Sequence, residues 1–96
     1  MIYFVDIDNT ICKTEGMDYI NAVPIFENIE KINELHKNNY IVYWTARGAG
    51  SGADYRELTI AQFKKWGVKY HELRLDKPLY DLLIDDRAIE TKEYFK

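Results

Sequence analysis

Apolar residues in this chain fall in short, nearly unbroken runs separated by stretches of helical spacing. Ile2–Ile7 (IYFVDI) is rich in strand formers and predicts a buried strand. Residues 11–24 are mixed and lack clean periodicity. Pro24 stands where a helix begins. Ile25, Ile29, Ile32 and His36 then recur on one helical face, with Phe26 and Leu35 beside them, and Asn38-Asn39 ends the helix. Tyr40–Thr45 (YIVYWT) predicts a second buried strand. Gly48, Gly50 and Gly52 make a flexible loop before a second helix near Ala53–Trp66, with Tyr55, Leu58, Phe63 and Trp66 as apolar positions and Gly67 as the stop. Val68–Leu75 reads as a weaker third strand, and Tyr80–Ile84 as a fourth ending at Asp85-Asp86. Strands alternating with helices imply parallel pairing and right-handed crossovers. Ligands in such folds bind beyond the carboxyl ends of the strands, which is where Asp6, Asp8, Thr45, Asp85 and Asp86 stand.

Composition narrows the options. The 96 residues make one domain, 1–96, without repeat or linker. A chain of this length buries roughly 60–68% of its unfolded surface, so it folds with little stability to spare. Thirteen basic residues against sixteen acidic give a net charge of −3, a poor balance for non-specific nucleic-acid binding. One cysteine, Cys12, excludes a disulfide scaffold. The opening apolar run ends at Asp6, too short for a signal peptide, and no stretch spans a membrane. The default location is cytoplasmic.

Asp6 and Asp8 are the sharpest chemical feature. Two residues apart on a strand, they point the same way. Paired carboxylates repel and are costly to desolvate, and a divalent cation relieves both costs. Few carboxylates with oxygen ligands suit Mg²⁺, which also contacts substrate phosphate. The competing reading is a solvated Asp-rich turn with Thr10 as a helix cap. Thr45 offers a hydroxyl at a strand end, Arg47 a bidentate grip on phosphate, and the Gly48–Gly52 loop backbone N–H groups for an anion. Asp85-Asp86 repeats the pattern of an apolar run ending in acids. Lys77, just before Pro78, is placed to neutralise phosphate or carboxylate charge. His36 and His71 lack metal-ligand spacing, and Cys12 has no base beside it.

Asp-Ile-Asp-Asn-Thr at 6–10, Thr45, Lys77 and Asp85-Asp86 occur in that order, each at or near a strand end. This arrangement resembles the haloacid dehalogenase superfamily of phosphatases, over nearly the whole chain. The resemblance implies an α/β fold with a three-layer, Rossmann-like core around a short parallel sheet. It implies catalytic roles for four residues. Asp6 would be the nucleophile and Asp8 the general acid and base, while Thr45 and Lys77 would hold the phosphoryl group. Thr45, Ala46, Arg47 and Lys77 would contact substrate. A carboxylate oxygen of Asp6 and the backbone carbonyl of Asp8 would hold Mg²⁺, with Asp85, Asp86 or both completing its shell. The acid at position 8 favours phosphatase over dehalogenase.

The chain has no room for the cap domain that many of these phosphatases carry, so the resemblance is to a minimal, capless type with an open site. Met17, Tyr19, Ile20 and Val23 are apolar for an ordinary loop: they either pack on the domain's own core or offer a homo-oligomer contact that would supply the missing cover. The first expectation for substrate is a small sugar phosphate or related metabolite of a surface-polysaccharide pathway. Thr45–Arg47 with Leu83–Arg87 (LIDDR) also resembles phosphatases of 3′-phosphorylated nucleic-acid ends, against which the acidic charge weighs. A third reading is a catalytically silent metal-binding or interaction module.

Overall fold

The computed structural model describes residues 1–96 as a small α/β unit built on a parallel sheet. β1 (Ile2–Val5) pairs in parallel with β4 (Tyr40–Trp44), which pairs in parallel with β5 (Glu72–Arg74). A two-residue antiparallel ladder, β2 (Cys12–Lys13) with β3 (Val23–Pro24), closes the intervening 11–24 segment around a 3₁₀ turn at Tyr19–Asn21. The helices are α1 (Phe26–His36), α2 (Arg56–Trp66) and a terminal turn, α3 (Thr91–Tyr94).

The register explains the layering. Val5 lies opposite Tyr43, and Tyr43 opposite Leu73, so these side chains share one face of the pleat. That face forms a single buried cluster with Ile29 and Ile32 of α1 and with Phe63 and Trp66 of α2. Both helices therefore lie on one face, because strand order β1-β4-β5 steps the same way twice and the two crossovers have one hand. Phe4, Val42 and Glu72 share the other face, where Ile2 and Phe4 are exposed. The sheet has two layers at this point, not the three expected.

Local chemistry sets the ends of the elements. The Asn39 amide donates to the Leu35 carbonyl as the chain leaves α1, and Gly67 ends α2 at φ +71°, a left-handed angle that suits glycine. Asn33 ties the two helices together: its amide donates to the Gly67 carbonyl and accepts from the Lys69 N–H, both at 2.9 Å.

Several sequence expectations differ: the third strand is Glu72–Arg74 in place of Val68–Leu75, and Pro24 lies in β3, two residues before α1 begins. The first strand stops at Val5, and Asn9 turns the chain at φ +62°. Helix α2 starts at Arg56, so the Gly48–Gly52 loop does not itself open the helix. Residues 80–84 form no strand. Leu82 is 77% exposed and Ile84 91%, and β1 keeps one edge unpaired. Strand propensity in that run is not matched by a pairing partner, and a strand exists only as part of a ladder.

Candidate functional site

Asp6 leaves the carboxyl end of β1. Its Oδ1 accepts the N–H of Ile7 at 2.9 Å, and its Oδ2 lies 3.6 Å from Lys77 Nζ. The next strand positions that lysine. The Thr45 N–H donates to the Arg74 carbonyl, and the Thr45 carbonyl accepts from the Lys77 N–H, so Thr45 zips the end of β4 to the chain leaving β5. The Lys77 ammonium also sits over the rings of Trp44 and Tyr80, at 5.6 Å from each centroid. Burial pushes the Asp6 carboxyl above its ordinary range. The Lys77 charge and the Ile7 N–H pull it back, and the Asp8 charge adds to the rise.

Asp8 is held differently. Arg47 donates to both carboxylate oxygens, Nε to Oδ2 at 3.0 Å and NH2 to Oδ1 at 2.9 Å. The Thr14 hydroxyl donates to Oδ1 at 2.6 Å. Arg47 is 2% exposed, and its remaining amino group donates to Thr59 and Gln62. A buried guanidinium needs this many acceptors to offset its lost hydration. Arg47 in this conformation grips Asp8, where the sequence suggested a grip on phosphate. The strand stops at Val5, so alternation does not set the place of either carboxylate: Asp6 meets Lys77 and Asp8 meets Arg47.

The structure thus brings together Asp6, Asp8, Thr45, Arg47 and Lys77, with Ala46 between two of them. Thr45 is buried, and its Oγ1 accepts the Arg47 N–H at 3.1 Å. Asp85 and Asp86 stand apart on the exposed 80–90 segment, Asp85 accepting the Arg87 N–H and Asp86 within 3.9 Å of the Arg87 side chain. No three carboxylates, imidazoles or thiolates converge in a metal-holding group. Asp6 is accessible, with its side chain 41% exposed, while Arg47 donates once to each Asp8 side-chain oxygen. The Mg²⁺ shell that the resemblance implies takes the backbone carbonyl of Asp8, and the Arg47 fork on the Asp8 side chain does not bear on that ligand. Cys12 is buried, and burial raises its thiol above the ordinary value, which keeps it protonated. His36 and His71 stack on each other at 4.2 Å, consistent with a structural role.

Sequence reading missed Thr14, Thr59 and Gln62. A signal existed: Thr59 and Gln62 share the spacing of Phe63 and Trp66, so two polar residues lie on the buried face of α2. Polar groups there need a polar partner. Of the two readings of the apolar 11–24 side chains, Tyr19 follows packing within the domain, its ring 5.0 Å from the Arg47 guanidinium, while Met17, Ile20 and Val23 are exposed.

Fold and site together define a small α/β protein with an acid–base cluster at the carboxyl edge of a parallel sheet. No protein-family model matches the chain, and no curated protein matches it. A solved structure is similar: the crystal structure of an MCSG target from Vibrio cholerae, with a TM-score of 0.85 and 27% identity. The match covers 98% of this chain and 86% of that one. No helix is long and apolar enough to cross a membrane.

Proposed function

We propose that the protein is a phosphomonoester hydrolase of the haloacid dehalogenase type, working through a covalent phosphate on Asp6. The observation that carries this reading is the Asp6–Lys77 pair, 3.6 Å apart at the open carboxyl edge, with the anchored Asp8 close enough to perturb Asp6. A carboxylate that is accessible, held by one cation and raised by burial suits a nucleophile better than a surface ion pair.

In this reading an Asp6 oxygen attacks phosphorus, and the bond from phosphorus to the ester oxygen breaks. Asp8, a carboxylate in its pair with Arg47, first takes up a proton from solvent and then gives it to the departing alkoxide. Asp8 then takes a proton from water as that water attacks phosphorus, releasing phosphate and restoring Asp6. Lys77 offsets the negative charge gathered on the phosphoryl oxygens, and the Thr45 hydroxyl has a hydrogen to donate there. The reading carries a requirement for Mg²⁺, which would supply further charge neutralisation. Asp6, the backbone carbonyl of Asp8 and Asp85 or Asp86 would hold it, and no step above is routed through the ion.

The substrate class we propose is a small sugar phosphate or related metabolite. Cations near the edge are already paired, Arg47 with Asp8, Arg74 with Asp76 and Lys77 with Asp6, which favours a compact phosphate over a polyanionic backbone. The test is phosphate release with Mg²⁺ over a panel of sugar phosphates, nucleotides and a 3′-phosphorylated oligonucleotide. Release from sugar phosphates that is lost in Asp6→Asn supports the reading. No release from any member of the panel, or full release by Asp6→Asn, refutes it.

A further inference from the structure

We infer that Gln62 is a positioning residue for Asp8, acting through Arg47 and anchored on the backbone carbonyl of Tyr19. The inference rests on the hydrolase reading and adds to it a part of α2 and of the 11–24 segment.

Gln62 lies on the buried face of α2, where an amide is costly unless bonded. Its Oε1 accepts from Arg47 NH1 at 2.6 Å, and its Nε2 donates to the Tyr19 carbonyl at 2.6 Å. Arginine only donates and a carbonyl only accepts, so the amide has one orientation here. No other side chain of that length both accepts at one end and donates at the other. Thr59 repeats the device on a shorter reach: its hydroxyl accepts from Arg47 NH1 and donates to the Tyr55 carbonyl. The Tyr19 ring lies against the guanidinium and meets the Tyr55 ring edge-on at 4.9 Å. The guanidinium is thereby fixed in position and plane, and its fork fixes both Asp8 oxygens.

The fork also distinguishes those oxygens. Oδ1 accepts from Arg47 NH2 and Thr14, with the Cys12 thiol at 3.6 Å, whereas Oδ2 accepts from Arg47 Nε. Oδ2 keeps a lone pair for the transferred proton. Proton transfer in the transition state depends on holding that oxygen within hydrogen-bond reach of the ester oxygen. A loosened Arg47 would leave Asp8 present but poorly aimed.

The test uses two esters that differ in their need for a proton. An alkyl phosphate, β-glycerophosphate, leaves as a strong base and requires protonation. An aryl phosphate, p-nitrophenyl phosphate, leaves without it. The ratio kcat/KM spans only the steps through departure of the alcohol, so it isolates the acid role of Asp8. Gln62→Leu is expected to lower kcat/KM about 10–100-fold on β-glycerophosphate, a part of the about 10²–10⁴-fold typical of acid catalysis. The loss on p-nitrophenyl phosphate should stay within about 3-fold, since that ester bypasses the proton. Gln62→Glu keeps the acceptor for Arg47 but cannot donate to Tyr19, and should show the same split; it carries the test if Gln62→Leu does not fold. Equal losses on both esters, or no loss on either, would overturn the inference while the parental activity upholds the hydrolase reading. A parental protein inactive on both esters would overturn that reading, and the inference with it.

Discussion

Replacing Arg47 with methionine removes the cation beneath Asp8 and little volume. Five side-chain hydrogen bonds disappear, two to Asp8 and one each to Thr59, Gln62 and the Cys12 sulfur. Taking one partner from a buried ion pair costs about 3–5 kcal/mol, most of it the charge left without a counterion. The Asp8 side chain is 19% exposed, so water recovers part of that loss, which places the cost near 3 kcal/mol. A chain of this length holds about 5–14 kcal/mol in all, and a loss of that size lowers Tm by about 12–24 °C. Arg47→Lys retains the charge but not the planar fork, and should lose about half as much. Adding Asp8→Asn to Arg47→Met should restore part of the loss, because it removes the orphaned charge. Urea unfolding followed by circular dichroism at pH 7 measures all three variants. An Arg47→Met variant within 1 kcal/mol of the parent, at unchanged denaturant slope, would refute the claim that this ion pair organises the site.

Asp6→Asn should abolish turnover and raise stability at neutral pH. Its folded pKa is raised, so ionisation costs nothing below the ordinary carboxylate pKa near 3.8 and weakens the fold as pH rises through the higher folded value. The Tm advantage of the Asn variant should therefore grow from pH 3 to pH 7 in thermal melts, and an advantage that shrinks would contradict the sign. Tyr43 is fully buried with a hydroxyl that has no partner, and burial alone pushes its pKa far up. Tyr43→Phe should be neutral or stabilising by up to about 1 kcal/mol in the same urea assay, and a clear loss would reveal a partner for that hydroxyl. Gly48→Ala should destabilise by more than the usual few tenths of a surface change. Gly48 sits at φ +85° and a Cβ there would run into the Ala53 carbonyl; an unchanged Tm would show that the loop simply yields.

The strands that carry the site were legible because they are short apolar runs ending in acids. Tyr40–Trp44 has a strand on each side and is buried over Ile41–Tyr43, and Ile2–Val5, though an edge strand with Ile2 and Phe4 exposed, has the same apolar composition; such strands announce themselves by composition. Tyr80–Ile84 has the same composition and forms no strand, since pairing is a property of two segments and sequence reports on one. The polar partners were readable in kind and not in assignment. Asp6, Asp8, Thr45 and Lys77 stood out by their positions at strand ends. Which cation serves which carboxylate depends on how β4 and β5 bring Arg47 and Lys77 home, and spacing along the chain does not encode that. Arg47 looked like a phosphate grip because an arginine after a strand end is exposed by default. The buried Thr59 and Gln62 on α2 overrule that default, and they were visible as polar intrusions on an apolar helix face.

The central claim is a phosphoryl group on Asp6, and acid-quenched mass spectrometry tests it most directly. The protein is mixed with p-nitrophenyl phosphate and Mg²⁺, quenched within the first turnover and digested at low pH, which preserves an acyl phosphate. The account predicts one added phosphoryl group on the peptide that contains Asp6 and Asp8, placed on Asp6 by fragment ions, absent in Asp6→Asn and absent from the peptide containing Asp85 and Asp86. Turnover of the ester with no phosphoryl group on Asp6, or with the group on another residue, would contradict it.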